Sequence, residues 1–416
     1  MDNAKSVRRI DWCDGRLLGL LLLATACLIA LGFAAGRGAL QHDSGGNIVP
    51  ADTAIPLKPG PWGELEMTPI SIEPPSEYLN IEALEEVDRR WRFSGYTPEM
   101  LSELFRTADL TSDQRAELLD PKRWECVQDA ILVSPSPELV LALSTEARKK
   151  IYTILSDARR NPEAFRVSLP TEHLDEYFAQ GGVGPVARAL VKKLSFPHGK
   201  RLLFCSPELV LVQLPTYDEK ARFIKTLFRK KTLILRLRVS TSSNVDELDG
   251  YWARAGWGKN IKPLLESLKA VPGGTRIDIL EILPPGPTAR LYTYPFPSLD
   301  STVLRQDCHW NSFNFFRETP DPRFTDPKFV SETLQKDYYP VLTAPRYGDI
   351  LFFTDSTGNA FHSAVYIADN IVYTRNGAEF RQPYILMQLP DLIETYAALL
   401  PEGERINISF YRNKYY

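Results

Sequence analysis

One cysteine of this chain lies in a local sequence that suits thiol chemistry. Cys308 follows Asp307, a residue type that caps helices through its side-chain oxygen, so we predict that a helix begins at Cys308. This helix would bury one face through Trp310, Phe313 and Phe316, which are spaced three apart. A cysteine in the first turn lies near the positive end of the helix dipole, which favours the nucleophilic thiolate. Cys308 is therefore a candidate nucleophile.

His362 is the candidate base for this thiol. It lies near the start of a predicted strand over 360–368, which follows a turn and a strand over 346–353 and precedes a third strand over 371–375. We expect the resulting sheet to face the Cys308 helix. Thiol catalysis requires a cysteine, a histidine and a third polar group that meet in space rather than in sequence.

Three short motifs in this part of the chain resemble those of the NlpC-like family of cell-wall cysteine peptidases. Asp-Cys opens the predicted helix at 307–308, Gly-Asp-Ile-Leu-Phe-Phe occupies 348–353, and His-Ser-Ala-Val-Tyr-Ile occupies 362–367. The family motifs are approximately Asp-Cys-Ser-Gly, Gly-Asp-Leu-Val-Phe-Phe and His-Val-Gly-Ile-Tyr, in the same order. The Ser-Gly of the family is replaced here by His309 and Trp310, which would reshape the substrate cleft.

The resemblance covers residues 291–416 and explains nothing before them. It implies a papain-like α+β fold for this part, with Cys308 as nucleophile and His362 as base. It also implies hydrolysis of amide bonds in the stem peptides of peptidoglycan. A tyrosine before the cysteine belongs to the family pattern, and Tyr294 matches its position better than Tyr292 does.

The third catalytic residue departs from the family pattern. The family position, often a histidine, corresponds to Thr374 in this chain, and a threonine orients an imidazole weakly. Asn376 is two residues further along and so lies on the same face of the predicted strand. Its amide oxygen is a better acceptor for a ring N–H. We therefore predict that Asn376 orients His362, with Thr374 as the alternative.

An apolar segment without charges, residues 17–36, predicts a transmembrane helix near the N-terminus. The basic residues before it place the N-terminus in the cytoplasm and the rest of the chain outside, as a single-pass protein of the inner membrane. A cleaved signal peptide is the alternative, although its apolar region is usually shorter. These basic residues are Lys5, Arg8, Arg9 and Arg16.

Composition and cysteine spacing exclude several other classes of function. The net charge of −3, from 49 basic and 52 acidic residues, gives no support to a nucleic-acid partner. None of the five cysteines lies in a spacing typical of zinc sites, so we predict no metal and no cofactor. Cys126 and Cys205 could form a disulfide or remain free thiols, and the sequence leaves both possibilities open.

Hydrophobic patterns and proline content divide the chain into regions. Periodic helical patterns dominate the region before residue 200, whereas Leu233, Leu235, Leu237 and Val239 alternate as in a strand. The run Leu209–Leu214 is a second strand candidate. The predicted regions are a cytoplasmic N-terminus (1–16), the transmembrane helix (17–36), a Pro/Gly-rich linker (37–76), a mainly helical region (77–200), a mixed α/β region (201–290) and the papain-like domain (291–416).

The function predicted from these observations is that of a membrane-anchored, extracytoplasmic amidase or endopeptidase of peptidoglycan peptides. One alternative is an inactive papain-like domain that binds the cell wall or another protein. The other is a thiol hydrolase or acyltransferase that acts on a different amide or ester. The sequence does not predict an oligomeric state.

Overall fold

Residues 54–157, 160–161, 164–254, 259–296, 305–401 and 403–415 are described in a computed structural model. The predicted transmembrane helix over 17–36 lies outside these ranges, and no helix within them is long and apolar enough to cross a membrane. The observed fold is mixed α+β with several antiparallel sheets. The part of the fold prediction that placed a membrane helix at the N-terminus is therefore not supported.

Strands and helices alternate irregularly along the chain. The strands are β1 (Ile55–Pro56), β2 (Glu64–Ile72), β3 (Trp91–Ser94), β4 (Trp124–Val127), β5 (Ala130–Val133), β6 (Val167–Leu169), β7 (Phe196–His198), β8 (Arg201–Phe204), β9 (Lys230–Val239), β10 (Thr275–Asp278), β11 (Tyr338–Pro340), β12 (Ile350–Thr354), β13 (Ala360–Ala368), β14 (Ile371–Arg375), β15 (Tyr384–Gln388) and β16 (Asn407–Asn413). The α-helices are α1 (Ile81–Glu85), α2 (Pro98–Thr107), α3 (Ser112–Leu118), α4 (Pro137–Ala142), α5 (Thr145–Leu155), α6 (Leu174–Gln180), α7 (Pro185–Leu194), α8 (Pro207–Leu211), α9 (Tyr217–Leu227), α10 (Val245–Trp252), α11 (Lys262–Lys269), α12 (Pro285–Arg290), α13 (Cys308–Phe313), α14 (Pro327–Asp337) and α15 (Leu389–Ala397).

The region predicted to be mainly helical, 77–200, also contains strands. Several of its helices start at side-chain caps: Thr111 and Gln114 form a capping box before α3, and Ser144 caps α5. Between the helices lie two three-stranded antiparallel sheets, with strand orders β3-β5-β4 and β6-β8-β7. These strands have only three or four residues each, so they are too short to show a period in the sequence.

The prediction of a Pro/Gly-rich linker over 37–76 is wrong for its second half, which contains the strands β1 and β2. There β2 pairs with β9 along its whole length, in an antiparallel sheet of order β1-β2-β9-β10. Leu65 and Met67 are buried in this sheet. Pro69 lies beyond the two residues of β2 that pair with β1, where the strand has an open edge that tolerates a proline.

The prediction of a strand over Leu209–Leu214 is also wrong, because the first residues of this run lie in helix α8, which ends at Leu211. Pro207 occupies the first turn of this helix, where a proline loses no hydrogen bond. A short run of buried apolar residues does not distinguish a strand from a buried helix. The alternating residues 233–239, by contrast, lie in β9 as predicted.

The C-terminal part is built on an antiparallel sheet of order β11-β16-β12-β13-β14-β15. Its strands β12, β13 and β14 match the predicted ones closely, and the turn at Asp369 and Asn370 joins the last two. Helix α13 packs on one face of β13 and β14. Helix α15 covers the other face, where Tyr396 and Leu392 join Phe353 and Ala364 in a separate small core.

Gly348 and Asp349, which begin the second motif, have architectural roles in this sheet. Gly348 has a φ of +84°, and a Cβ atom there would lie 2.4 Å from the ring of Phe316, so no other residue fits. The buried Asp349 carboxylate accepts hydrogen bonds from the guanidinium of Arg412 at 2.6 and 2.8 Å and lies 3.3 Å from Arg254.

No separation exists at the predicted boundary near residue 290. Strand β9 lies beside β15, where the Thr232 hydroxyl donates to the carbonyl of Leu386 at 3.0 Å and accepts from its amide at 3.2 Å. Tyr251 also donates to the carbonyl of Ile367 at 2.7 Å. The described residues form one compact unit, in which the mixed region and the C-terminal sheet share a hydrophobic core. Cys126 and Cys205 are both free.

Candidate active site

Helix α13 begins at Cys308, as predicted. Asp307 is its N-cap, and the side-chain oxygen of Asp307 accepts a hydrogen bond from the amide of Trp310 at 2.8 Å. Trp310 and Phe313 are both buried in the shared hydrophobic core. The helix ends at Phe313, so Phe316 lies outside it, although its ring is still buried.

The thiol of Cys308 is buried, and its pKa moves in the direction opposite to the prediction. Burial, with a smaller contribution from the Asp307 carboxylate, raises this pKa to about 12. The backbone N–H groups of Ser363 and His309 favour the thiolate but do not offset the loss of water. The predicted thiolate is therefore not favoured in the resting protein, because burial outweighs the effect of the helix start and leaves Cys308 as a neutral thiol.

His362 lies in β13 on the face covered by α15. Its ring stacks on the ring of Tyr396 at 4.2 Å between centroids, and the edge of Phe353 lies at 5.5 Å. Because successive side chains of a strand point to opposite faces, it is Ser363 that faces α13. The hydroxyl of Ser363 donates to the hydroxyl of Ser312 on that helix at 3.1 Å. The expectation that the His362 face of the sheet would meet the Cys308 helix is therefore wrong for the body of the helix.

A chain of hydrogen bonds fixes the tautomer of His362. Thr374 Oγ1 lies 3.0 Å from His362 Nε2 and donates its own proton to Asn376 Oδ1 at 3.2 Å. Asn376 Nδ2 in turn donates to the sulfur of Met387 at 3.3 Å. Since the Thr374 proton is used on Asn376, the threonine must accept from the Nε2–H of His362. Nδ1 is thereby left as the free acceptor, which is the atom a base needs.

The third residue thus differs from the predicted one. Thr374, at the family position, contacts the imidazole directly, whereas Asn376 acts one step further away by accepting from Thr374. The two side-chain types alone do not reveal that Asn376 orients Thr374 instead of binding His362 itself. A threonine whose proton is engaged elsewhere is a defined acceptor.

Cys308 and His362 share neighbouring residues but are not hydrogen-bonded to each other. His362 Nδ1 has no hydrogen-bond partner among the described residues. Burial lowers the pKa of His362 well below its usual range, and nearby His309 adds to this effect, so its imidazole is neutral. Two groups connect the pair: the Ser363 amide, which interacts with the sulfur, and Tyr396, which stacks on His362 and interacts electrostatically with Cys308.

The predicted site tyrosine, Tyr294, has different neighbours. Its ring packs edge-on against Tyr78 at 5.9 Å, and its buried hydroxyl has no hydrogen-bond partner in the described part of the chain. Burial raises the pKa of Tyr294, with Glu73 and Glu379 adding to the shift. Tyr292 donates to the carbonyl of Leu233 at 2.6 Å. The structure therefore does not bring either tyrosine to Cys308 or His362.

Two residues of the site were missed by the sequence analysis. Tyr396 follows His362 by more than thirty residues in a separate helix, and no motif marks it. The buried Arg375 donates to the carbonyl of Gln306, two residues before Cys308, and to the carbonyl of Gly377 at 2.7 Å. Arg375 thus joins the residues before Cys308 to the loop after β14. Its only sequence signal was its place beside Thr374.

One group of side chains could hold a cation. Ligand atoms of Asp307, Cys308 and His309 lie within 4.8 Å of one another. Carboxylate, thiolate and imidazole together suit a zinc ion. One carboxylate oxygen already accepts from Trp310, and zinc binding would require deprotonation of Cys308. The prediction that the site uses no metal stays a prediction.

Comparison of the whole chain with known proteins adds nothing to this geometry. No family model, curated protein or solved structure matches it. The resemblance to the NlpC-like family therefore rests on the three short motifs, of which the structure places Asp307-Cys308 at a helix start and His362 in a strand beside it.

The hydrogen-bond chain makes a prediction about the third residue. We expect Thr374→Val to lower turnover about tenfold, because the isosteric valine removes the only acceptor for His362 Nε2–H, a loss of roughly 1.4 kcal/mol. Asn376→Ala should lower it less, about threefold, since it only frees the threonine proton. Steady-state rates of the two variants, with melting temperatures as the control for folding, test this order. A larger loss in Asn376→Ala would contradict it.

Proposed function

We propose that this protein is a thiol-dependent amide hydrolase, with Cys308 as nucleophile and His362 as base, and that it acts on peptidoglycan stem peptides. The observation that carries this proposal is the chain from His362 through Thr374 to Asn376. A buried histidine with a purely structural role would not need a hydrogen-bond chain that keeps Nδ1 unprotonated. Here that nitrogen is unbonded, and Tyr396, which stacks on the ring of His362, also interacts with Cys308.

The chemistry follows the general course of thiol catalysis. His362 Nδ1 takes the proton of Cys308 as the sulfur attacks the carbonyl carbon of the amide. The C–N bond then breaks, and the same imidazole gives the proton to the leaving amine. A thioester remains on Cys308 until water hydrolyses it. Since thiol and imidazole are both neutral at rest, proton transfer accompanies the attack and does not precede it as a stable ion pair.

The choice of substrate rests on the resemblance alone. The family motifs at 307–308, 348–353 and 362–367 occur in order, and the family acts on amide bonds of cell-wall peptides. In the described residues no contact identifies a particular stem-peptide bond. Peptidoglycan peptides are therefore the first substrates to assay.

A second candidate function is a binding module that has lost catalysis. Two observations favour it: Cys308 is only 4% exposed, and its sulfur is not hydrogen-bonded to His362. In this case the site would need no access for substrate. The two candidates differ in whether the thiol reacts at all.

The deciding experiment incubates the purified protein and Cys308→Ala with soluble muropeptides and identifies the products by mass spectrometry. We expect cleavage of an amide bond by the wild type and none by the variant. Equal cleavage by both proteins would remove Cys308 from the mechanism. No cleavage by either, together with muropeptide binding in calorimetry, would establish the binding module.

The raised pKa of Cys308 makes a separate prediction about pH. Because burial raises this pKa to about 12, the thiolate fraction should rise about tenfold for each pH unit across the neutral and mildly alkaline range. The rate of Cys308 alkylation by iodoacetamide should rise in parallel without levelling off. Peptide mapping would follow the rate at this residue, with the exposed Cys126 as internal reference. A plateau near neutral pH would indicate a thiolate–imidazolium pair instead.

A further inference from the structure

His309 lies next to Cys308 but has no role in the mechanism proposed above. One of its two ring nitrogens lies within 4.8 Å of the sulfur of Cys308, whereas no hydrogen bond joins His362 to that sulfur. The ring stacks on Phe352 at 5.5 Å with an angle of 21° between the planes. Unlike His362, which is fully buried, His309 is only partly buried. Of the two histidines, only His309 keeps part of its surface exposed to solvent.

The tautomer of His309 is fixed by its own chain of hydrogen bonds. His309 Nδ1 lies 3.0 Å from the hydroxyl of Ser363, which donates its proton to Ser312 at 3.1 Å. Ser363 must therefore accept from Nδ1–H, and Nε2 of His309 carries the free lone pair. His362, on the opposite face of β13, is held in the same way, except that its Nε2 carries the proton and its Nδ1 is free.

We propose that the two histidines divide the reaction, and that His309 activates the water that hydrolyses the thioester on Cys308. This inference rests on the proposed function, because it requires an acyl group on the thiol. His362, buried under Tyr396, serves the acylation step. His309 directly follows the nucleophile in the chain and is partly exposed, and the proposal requires a water molecule between its Nε2 and the thioester.

The step balances in atoms and charge. Water forms a bond to the thioester carbon while His309 Nε2 takes one of its protons. The C–S bond then breaks, which releases the acid product and leaves Cys308 as a thiolate. The proton on His309 Nε2 then passes to the sulfur, which restores the neutral thiol and the neutral imidazole. His362 is already neutral at this stage, since it gave its proton to the leaving amine.

A chromogenic acyl donor, p-nitrophenyl acetate, separates the two steps. Release of nitrophenol reports acylation, and the mass of Cys308 peptides reports the acetyl group that remains. In His309→Asn the asparagine Nδ2 can still donate to Ser363, but no nitrogen can accept a proton. We expect this variant to show a burst of about one nitrophenol per protein, acetyl-Cys308 in its mass spectrum, and a steady rate about a hundredfold below the wild type.

Further variants separate proton transfer from a merely structural role. His309→Gln loses the bond to Ser363 as well as the proton acceptor, so it should show the same slow deacylation. His362→Gln should instead show a slow burst without accumulation of acetyl-Cys308. If His309→Asn deacylates at the wild-type rate, while His309→Gln does not, His309 only holds Ser363 and the inference is overturned.

The proposed function has its own control in the same assay. If the wild type is acetylated at Cys308 and His309→Asn turns over normally, only the role of His309 fails. If Cys308→Ala releases nitrophenol as fast as the wild type, the nucleophile itself is wrong and the proposed function fails with it. Each outcome therefore decides one of the two statements.

Discussion

His362→Gln should lower the turnover of amide substrate by about 10²- to 10⁴-fold, the usual contribution of a general base. Glutamine can place an N–H group near the position of Nε2, so it can still donate to Thr374. It cannot accept a proton at pH 7. The variant therefore removes the base while it keeps the hydrogen bond that orients it, and the loss of rate reports chemistry rather than packing.

The control for this prediction is the melting temperature of the variant, which shows whether the fold is intact. His362 is fully buried between Tyr396 and Phe353, so His362→Ala would leave a cavity and destabilise the core. His362→Gln should melt close to the wild type. If it keeps more than about a tenth of the wild-type turnover, a different group, such as His309, takes the thiol proton.

Asp349→Ala should have the largest effect on stability, a loss of about 3–5 kcal/mol in the free energy of unfolding. The Asp349 carboxylate is completely buried and lies between two guanidinium groups, those of Arg412 and Arg254, which are each 11% exposed. It also accepts from the backbone amide of Arg346 at 2.7 Å. Its removal leaves two mostly buried cations without a counter-charge.

Chemical denaturation of Asp349→Ala measures this loss. The matched control is Asp246→Ala, which removes an exposed aspartate paired to Lys262 at 2.6 Å. An exposed ion pair contributes little, so this control should unfold at nearly the same denaturant concentration as the wild type. Similar effects of the two substitutions would mean that water screens the Asp349 pair as well.

The C-terminal sheet was predictable because its strands carry strong local signals. Residues 350–354, 360–368 and 371–375 are separated by turn residues such as Asp369, and each is long enough to be recognised. The short strands β3 to β8 have no such length. Strand β2 was hidden by the prolines around it, which are typical of a linker until a partner strand is known.

The site could be predicted only as far as its motifs extend. Cys308 and His362 were found because each lies in a recognisable segment, and Thr374 because of its distance from His362. Tyr396 belongs to the site through the packing of α15, which depends on the whole sheet. The pKa of Cys308 could not be predicted, since a helix start favours a thiolate only where water or a cation is near.

The junction between β9 and β15 limits how this protein can be taken apart. A fragment that starts at Leu291 would lose β9, and with it both hydrogen bonds from Thr232 to Leu386. It would also uncover apolar side chains of the shared core, such as Tyr347 and Tyr373. An open strand edge beside bare apolar surface favours aggregation. The segment that carries the candidate site therefore depends on residues before Leu291, beginning at Leu57, to complete its core.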